Sequence, residues 1–128
     1  MNLLLDTCTF LWMIGREEQL SPSAREALED GSNTLFLSQV SAWEIQIKYQ
    51  RGNLSLTDTP DKIVGAGLRL HGIYYETLAN EAIWHLQKLP EIHKDPFDRL
   101  LISHALTRGY KLVTPDPEIA KYPVPVIW

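Results

Sequence analysis

A chain of 128 residues, 45% of them hydrophobic, can build one core but not two domains of ordinary size, so one domain over residues 1–128 is expected. Its formal net charge of −4 excludes a generally basic surface that would gather nucleic acid through the overall field. The lone Cys8 excludes an internal disulfide and fits a reducing compartment; with no basic leader and no apolar run of spanning length, a soluble cytoplasmic protein without signal peptide or membrane helix is expected.

Asn2 to Leu5 reads as a short buried strand with Asp6 at its carboxyl end, and the amphipathic stretch from Thr7 to about Ile14 follows without a loop. Ser21-Pro22 supplies an N-cap and a proline at the first helical position, which predicts a helix to about Glu29, stopping near Gly31. Leu35 to Leu37 is the next strand, and Ser38 is placed to cap a helix to about Gln50 that Gly52 ends. Pro60 to Leu70 is predicted helical despite two glycines, Ile73 to Tyr75 a strand, and Asn80 to Lys88 a helix. Asp95-Pro96 opens the clearest helix, to about Arg108, with Gly109 as its stop; Lys111 to Val113 and Val124 to Ile127 close the chain as strands. There is no internal repeat, low-complexity segment or long linker. Strands alternating with helices predict an α/β fold, a three-layer α/β/α sandwich with a central parallel sheet, whose ligands sit at the carboxyl ends of the strands.

Several acids fall where apolar residues belong. Glu44 lies four residues after Val40 and three before Ile47, on the face those side chains bury, with Trp43 alongside. Asp98 stands three and four residues before Leu101 and Ile102, on the stripe that continues to Ala105. Asp6 and Asp116 follow strands and reach the same sheet edge. An unpaired buried carboxylate costs several kcal/mol, and two about 4 Å apart repel by roughly 4 kcal/mol at an effective dielectric near 20. The group therefore requires Lys or Arg partners, protonation or a metal ion. Taken singly, each acid also has an ordinary explanation. Asp95 and Asp98 suit a helix start, Asp116-Pro117 and Asp6 read as caps, and Glu44 can pair with Lys48 one turn on. Oxygen ligands favour Mg²⁺ or Mn²⁺ over zinc. The histidines His71, His85, His93 and His104 lack paired zinc-site spacing and are expected in structural or surface roles, and Cys8 as a small buried residue.

The motifs LLLDT with Leu11-Trp12, SQVSAWEI (Ser38 to Ile45), HKDPFDRLLISHA (His93 to Ala105), LVTPD (Leu112 to Asp116) and the terminal VIW, in this order over the whole chain, resemble the PIN-domain family and within it the VapC-like toxins of toxin-antitoxin pairs. The resemblance implies that Asp6, Glu44, Asp98 and Asp116 form an acidic Mg²⁺ or Mn²⁺ site, with Thr114 as a supporting hydroxyl and Asp95 as an additional acid in a supporting or capping place. It further implies a parallel sheet between helices, an RNA endonuclease active as a homodimer, and inhibition by a VapB-like antitoxin. Lys48, Arg51, Lys94 and Arg99, close to the acids in sequence, are candidates for contacts to RNA phosphates or for solvated surface charge.

Three competitors are weighed against this reading. A receiver-like Mg²⁺-binding signalling domain needs an acid at the end of its middle strand, where Ser38 stands, and an aspartyl-nucleophile phosphatase needs a second acid where Cys8 stands. A PIN fold kept only as a catalytically inactive interaction module is separated from an enzyme by a metal-dependent RNA cleavage assay. No motif identifies the RNA that is cut.

Overall fold

Alternation along the first strand divides the interior in two. In β1 (Asn2–Leu5) Leu3 and Leu5 face one side of the sheet and Leu4 the other, as the two-residue period of a strand requires, and all three are fully buried. The computed structural model describes residues 1–128. Leu3 and Leu5 join Phe10, Met13, Ala24, Leu28, Leu37, Ile45 and Val64 in one core, while Leu4 joins Val40, Leu101, Ile102, Ala105, Leu112 and Ile119 in the other. The first core lies under helices α1 (Thr7–Gly15), α2 (Pro22–Glu29) and α4 (Pro60–His71), the second under α6 (Pro96–Arg108). Helix α3 (Gln39–Gln50) contributes Val40 to one and Ile45 to the other. This is the expected three-layer arrangement.

The remaining strands are β2 (Thr34–Ser38), β3 (Tyr74–Glu76), β4 (Lys111–Val113) and β5 (Val126–Ile127), and α5 (Asn80–Trp84) completes the helices. All strand pairs are parallel, in the order β3-β2-β1-β4-β5. The chain builds outward from β1 through β2 to β3, then returns to lay β4 on the other side of β1. The reversal opens a crevice at the carboxyl ends of β1 and β4, the place where ligands bind in open parallel sheets. No helix is long and apolar enough to cross a membrane.

Local chemistry accounts for the helix boundaries. Ser21, Ser38 and Asp95 each accept a backbone N–H at the start of α2, α3 and α6, and Gly72 and Gly109 end α4 and α6 in the left-handed conformation. The two glycines that weaken the α4 pattern have a packing cause at one position. A Cβ on Gly67 would stand 2.9 Å from Phe10 Cζ and 3.0 Å from Ile14 Cγ2, so a glycine lets α4 press onto α1.

Where the boundaries depart from expectation, hydrogen bonding gives the reason. The third strand starts at Tyr74 rather than Ile73, because the Ile73 N–H is spent on the Leu68 carbonyl in closing α4. The helix expected over Asn80 to Lys88 tightens after Trp84 into a 3-10 turn, His85–Lys88. The last strand is shortened to Val126–Ile127, since Pro125 has no N–H to give the ladder. Trp43, expected beside Glu44 on the inward face, is instead 53% exposed and packs edge-on against Phe97, ring centroids 4.9 Å apart. Trp84 is 63% exposed, and Trp12 is partly covered by Trp128, ring centroids 5.8 Å apart.

Candidate active site

Four elements deliver one acid each to the crevice. Asp6 directly follows β1 and caps α1, its Oδ1 accepting the Thr9 N–H at 2.7 Å and its Oδ2 the Thr114 hydroxyl at 2.5 Å. Glu44 projects from the middle of α3, where Thr7 Oγ1 donates to its Oε1 at 2.6 Å and Lys48 Nζ to its Oε2 at 2.5 Å. Asp98 lies in the first turn of α6, and Asp116 follows β4 with its Oδ1 accepting the Glu118 N–H at 2.9 Å. Asp6, Glu44, Asp98 and Asp116 line a single cleft of about 440 Å³, with Asp95 and Lys48 in its wall and Leu11, Trp12 and Leu54 as its apolar side.

The electrostatics are those of a site short of positive charge. Burial raises the Asp6 carboxyl above its ordinary range, with the Glu44 charge adding to the rise and bonds from Thr114 and Thr9 opposing it. Asp98 is pushed up to about 7, by burial first and then by the charges of Asp95, Glu44 and Asp6, with His93 opposing. Five carboxylates line the cleft against a single ammonium, that of Lys48. Lys48 is itself held protonated: partial burial pulls it down, but the Glu44 bond and the surrounding carboxylates outweigh that pull. An all-oxygen, cation-deficient cluster open to solvent has the donor chemistry that Mg²⁺ or Mn²⁺ requires.

The supporting residues divide sharply. Thr114 is buried and orients Asp6 while accepting the Asp116 N–H at 3.1 Å, so one hydroxyl joins the two strand-end acids. Asp95 Oδ1 caps α6 through the Phe97 N–H at 2.8 Å and also lines the cleft. Among the basic candidates, only Lys48 belongs to the cleft wall; Arg51 and Lys94 are exposed outside it. Arg99 is not available to a phosphate as expected from its position in sequence. Its guanidinium donates to the Pro90 and Leu86 carbonyls and to the Tyr122 hydroxyl, and only 14% of the side chain is exposed.

Two features lay outside the sequence reading. His93, expected in a structural or surface role, reaches the site: its Nε2 lies 2.8 Å from Asp116 Oδ2 and 3.0 Å from Asp98 Oδ2. Burial pulls its pKa down, but the bond to Asp116 and the charges of Asp98, Asp116 and Asp95 raise it on balance. Its closeness in sequence to Asp95 and Asp98 was the one available hint, and no ligand-spacing rule converts that into a contact. The second feature is a Ser-His-acid line, with His104 Nδ1 2.9 Å from Ser38 Oγ and Nε2 2.8 Å from Glu76 Oε1. Ser38 is fully buried and its hydroxyl caps α3, so no substrate reaches it. Cys8, half-buried rather than buried, borders the acidic cleft, but burial followed by the Asp6 and Glu44 charges pushes its thiol up to about 12, which leaves it un-ionised near neutrality.

Comparison with known proteins agrees with the fold. The PIN domain family matches residues 3–125. The fold is similar to that of a chain in the Rickettsia felis VapBC2 complex bound to a DNA fragment from its promoter, at a TM-score of 0.73 and 16% identity, covering 98% of this chain and 97% of that one. It is also similar to a chain of VapBC-1 from nontypeable Haemophilus influenzae (TM-score 0.57, 18% identity, 98% and 96% covered) and to a domain of a functionally unknown Methanocaldococcus jannaschii protein (0.56, 15%, 98% and 88%). No curated protein matches in sequence. At these identities the structures speak for the fold, while the match over nearly the whole sequence speaks for the lineage: this chain belongs to the PIN domain family.

Proposed function

We propose that this protein is a Mg²⁺- or Mn²⁺-dependent endoribonuclease, the toxin of a toxin-antitoxin pair, working as a cytoplasmic homodimer and held inactive by a small VapB-like antitoxin. The observation that carries the reading is the convergence of Asp6, Glu44, Asp98 and Asp116 from four separate elements on one open cleft at the sheet's reversal point. These four carboxylates would hold the ion, which when bound supplies charge neutralisation at a phosphate and activation of water.

The protein's own groups do the positioning. Thr114 and the Thr9 N–H fix both oxygens of Asp6, and Thr7 fixes Glu44, so the buried acids keep their orientation before any ligand arrives. Lys48 holds the other Glu44 oxygen and is 48% exposed, placed to meet a flanking phosphate. Trp12 and Leu54 offer an apolar wall on which an unpaired base can lie, which favours single-stranded or loop RNA over duplex. No side chain qualifies as a covalent nucleophile, since Cys8 stays a thiol and Ser38 is enclosed, so the attacking group is water and the products carry 5′-phosphate and 3′-hydroxyl ends. The likeness in fold to a chain of two VapBC complexes supports the toxin role and the antitoxin partner.

The test is cleavage of a loop-containing RNA by the purified protein. Activity with Mg²⁺ or Mn²⁺, its loss in EDTA and its loss in Asp6→Asn are expected; undiminished cleavage in EDTA together with full activity of Asp6→Asn would refute the mechanism. Co-purification with the product of an adjacent short reading frame, and loss of cleavage in that complex, tests the toxin role.

A further inference from the structure

His93, Asp98 and Asp116 place one ligand atom each within 4.8 Å of one another, a spacing that could hold a metal ion with the imidazole as one of its ligands. The hydrogen bonding of the ring points elsewhere. We propose that His93 is a positioning residue of the acidic site and not one of its ligands: its Nε2–H donates to Asp116 Oδ2, with Asp98 Oδ2 only 3.0 Å from the same nitrogen, and so holds the segment after β4 against the first turn of α6.

The other ring nitrogen decides the matter. Nδ1 accepts the Asp95 backbone N–H at 3.1 Å, so it carries a lone pair and the ring proton of the neutral imidazole sits on Nε2. An Nε2 that binds a cation must present its lone pair there, which moves the proton to Nδ1 and sets two N–H donors against each other across 3.1 Å. Neither group turns away at low cost. Asp95 is the N-cap of α6, with its carboxylate on the Phe97 N–H, and the His93 backbone N–H is anchored on the Tyr122 hydroxyl at 2.7 Å.

As a donor, His93 has work in the site. Asp116 Oδ1 is already fixed by the Glu118 N–H, so the imidazole engages its second oxygen and stops the carboxylate rotating. Its Nε2 lies 3.0 Å from Asp98 Oδ2 without hydrogen-bonding it, which leaves the Asp98 carboxylate free to serve as a ligand. The donor set that remains is oxygen only, which keeps the preference for a hard ion. Outer partners of this kind typically change metal affinity about 10- to 100-fold when removed.

This inference rests on the metal-site reading, and the experiment separates the two. Long-range proton-nitrogen correlation spectra of histidine-labelled full-length protein should show His93 as the Nε2–H tautomer in EDTA and again with saturating Mg²⁺. Calorimetric Mg²⁺ and Mn²⁺ titrations should show His93→Ala weakened about tenfold for both ions and His93→Gln, which restores a donor near Nε2, within about threefold of wild type. A switch to the Nδ1–H form on adding Mg²⁺, or direct nitrogen coupling to bound Mn²⁺ in electron-spin-echo spectra, would make His93 a ligand and overturn the inference while leaving the metal site intact. Unchanged affinities in His93→Ala would overturn it by assigning the residue to folding alone. A wild type that binds neither ion would overturn the metal-site reading itself, and this inference with it.

Discussion

Asp98→Asn separates a repulsive ion site from an ordinary helix start through stability alone. The Asp98 carboxyl is raised from 3.8 to about 7 in the metal-free fold, so between these values the folded state holds a proton that the unfolded chain releases. Stability therefore falls as pH rises through that window; the cost is absent below about 4 and complete above about 7. At about 1.36 kcal/mol per pH unit the displacement corresponds to a ceiling near 4 kcal/mol. The side chain is 20% exposed in an open cleft, and screening there reduces the recoverable part to about 1–3 kcal/mol. The amide gives back about 0.3–1 kcal/mol of helix-dipole interaction and weakens the electrostatic contact with His93. At about 4 °C per kcal/mol, the Asn variant should melt some 3–8 °C above wild type at pH 8.5 in EDTA, with the gap closing toward pH 4.5. Saturating Mg²⁺ should reverse the order, because a hundredfold excess over the dissociation constant adds roughly 2.7 kcal/mol to a protein that binds one ion only when folded. Scanning calorimetry in both buffers is the assay. An Asn variant less stable than wild type in EDTA at pH 8.5, or a gap that does not change with pH, would refute the repulsive account of Asp98.

Three further outcomes follow from particular contacts. Thr114→Val should remove the hydroxyl that fixes Asp6 Oδ2, lowering RNA cleavage at least tenfold and weakening Mg²⁺ binding by calorimetry, whereas unchanged Mg²⁺ affinity would deny Thr114 a place in the site. Gly67→Ala should lower stability by about 1–2 kcal/mol, since overpacking against Phe10 outweighs the roughly 1 kcal/mol of helix propensity gained, and a denaturant midpoint at or above wild type would refute the close approach of α4 to α1. Iodoacetamide should label Cys8 of the native protein at pH 8 at least about a hundredfold more slowly than the unfolded chain, because its thiol stays protonated; comparable rates would contradict the burial and the carboxylate field at that position.

The parts of the fold that were legible in the sequence are those fixed by short-range chemistry. Ser21-Pro22, Ser38, Asp95-Pro96 and Gly109 bound their helices where a cap, a proline or a left-handed glycine predicts. Boundaries set by competition between neighbouring elements were not. Whether Ile73 starts a strand depends on whether its N–H first closes α4, and no residue pattern records that choice. At the site, the inward direction of Glu44 could be tested against Val40 because both belong to one helix, and Glu44 is indeed buried. Trp43 is buried or exposed according to where Phe97 of another helix stands. His93 reaches Asp116, 23 residues away, only once the loop before α6 has folded against the end of β4.

Capping and ion binding, weighed at first as rival explanations for the same acids, are compatible here because a carboxylate has two oxygens. Asp6 uses Oδ1 to cap α1, Asp95 caps α6 through Oδ1, and Asp116 spends Oδ1 on the Glu118 N–H while its Oδ2, held by His93, keeps a second lone pair for the cleft. Each such bond favours the charged form and fixes the carboxylate's rotation, so backbone N–H groups at two helix starts supply part of the positive potential that the metal-free site lacks. Asp98 stands apart. The N–H groups of Phe97 and Asp98 in the first turn of α6 are both directed at Asp95 Oδ1, at 2.8 and 3.5 Å, and the Asp98 carboxylate meets only His93. Burial and the charges of Asp95, Glu44 and Asp6 push it up to about 7. Asp98, which accepts no backbone N–H, is where an arriving cation has the most to supply, and that is why the stability test belongs there.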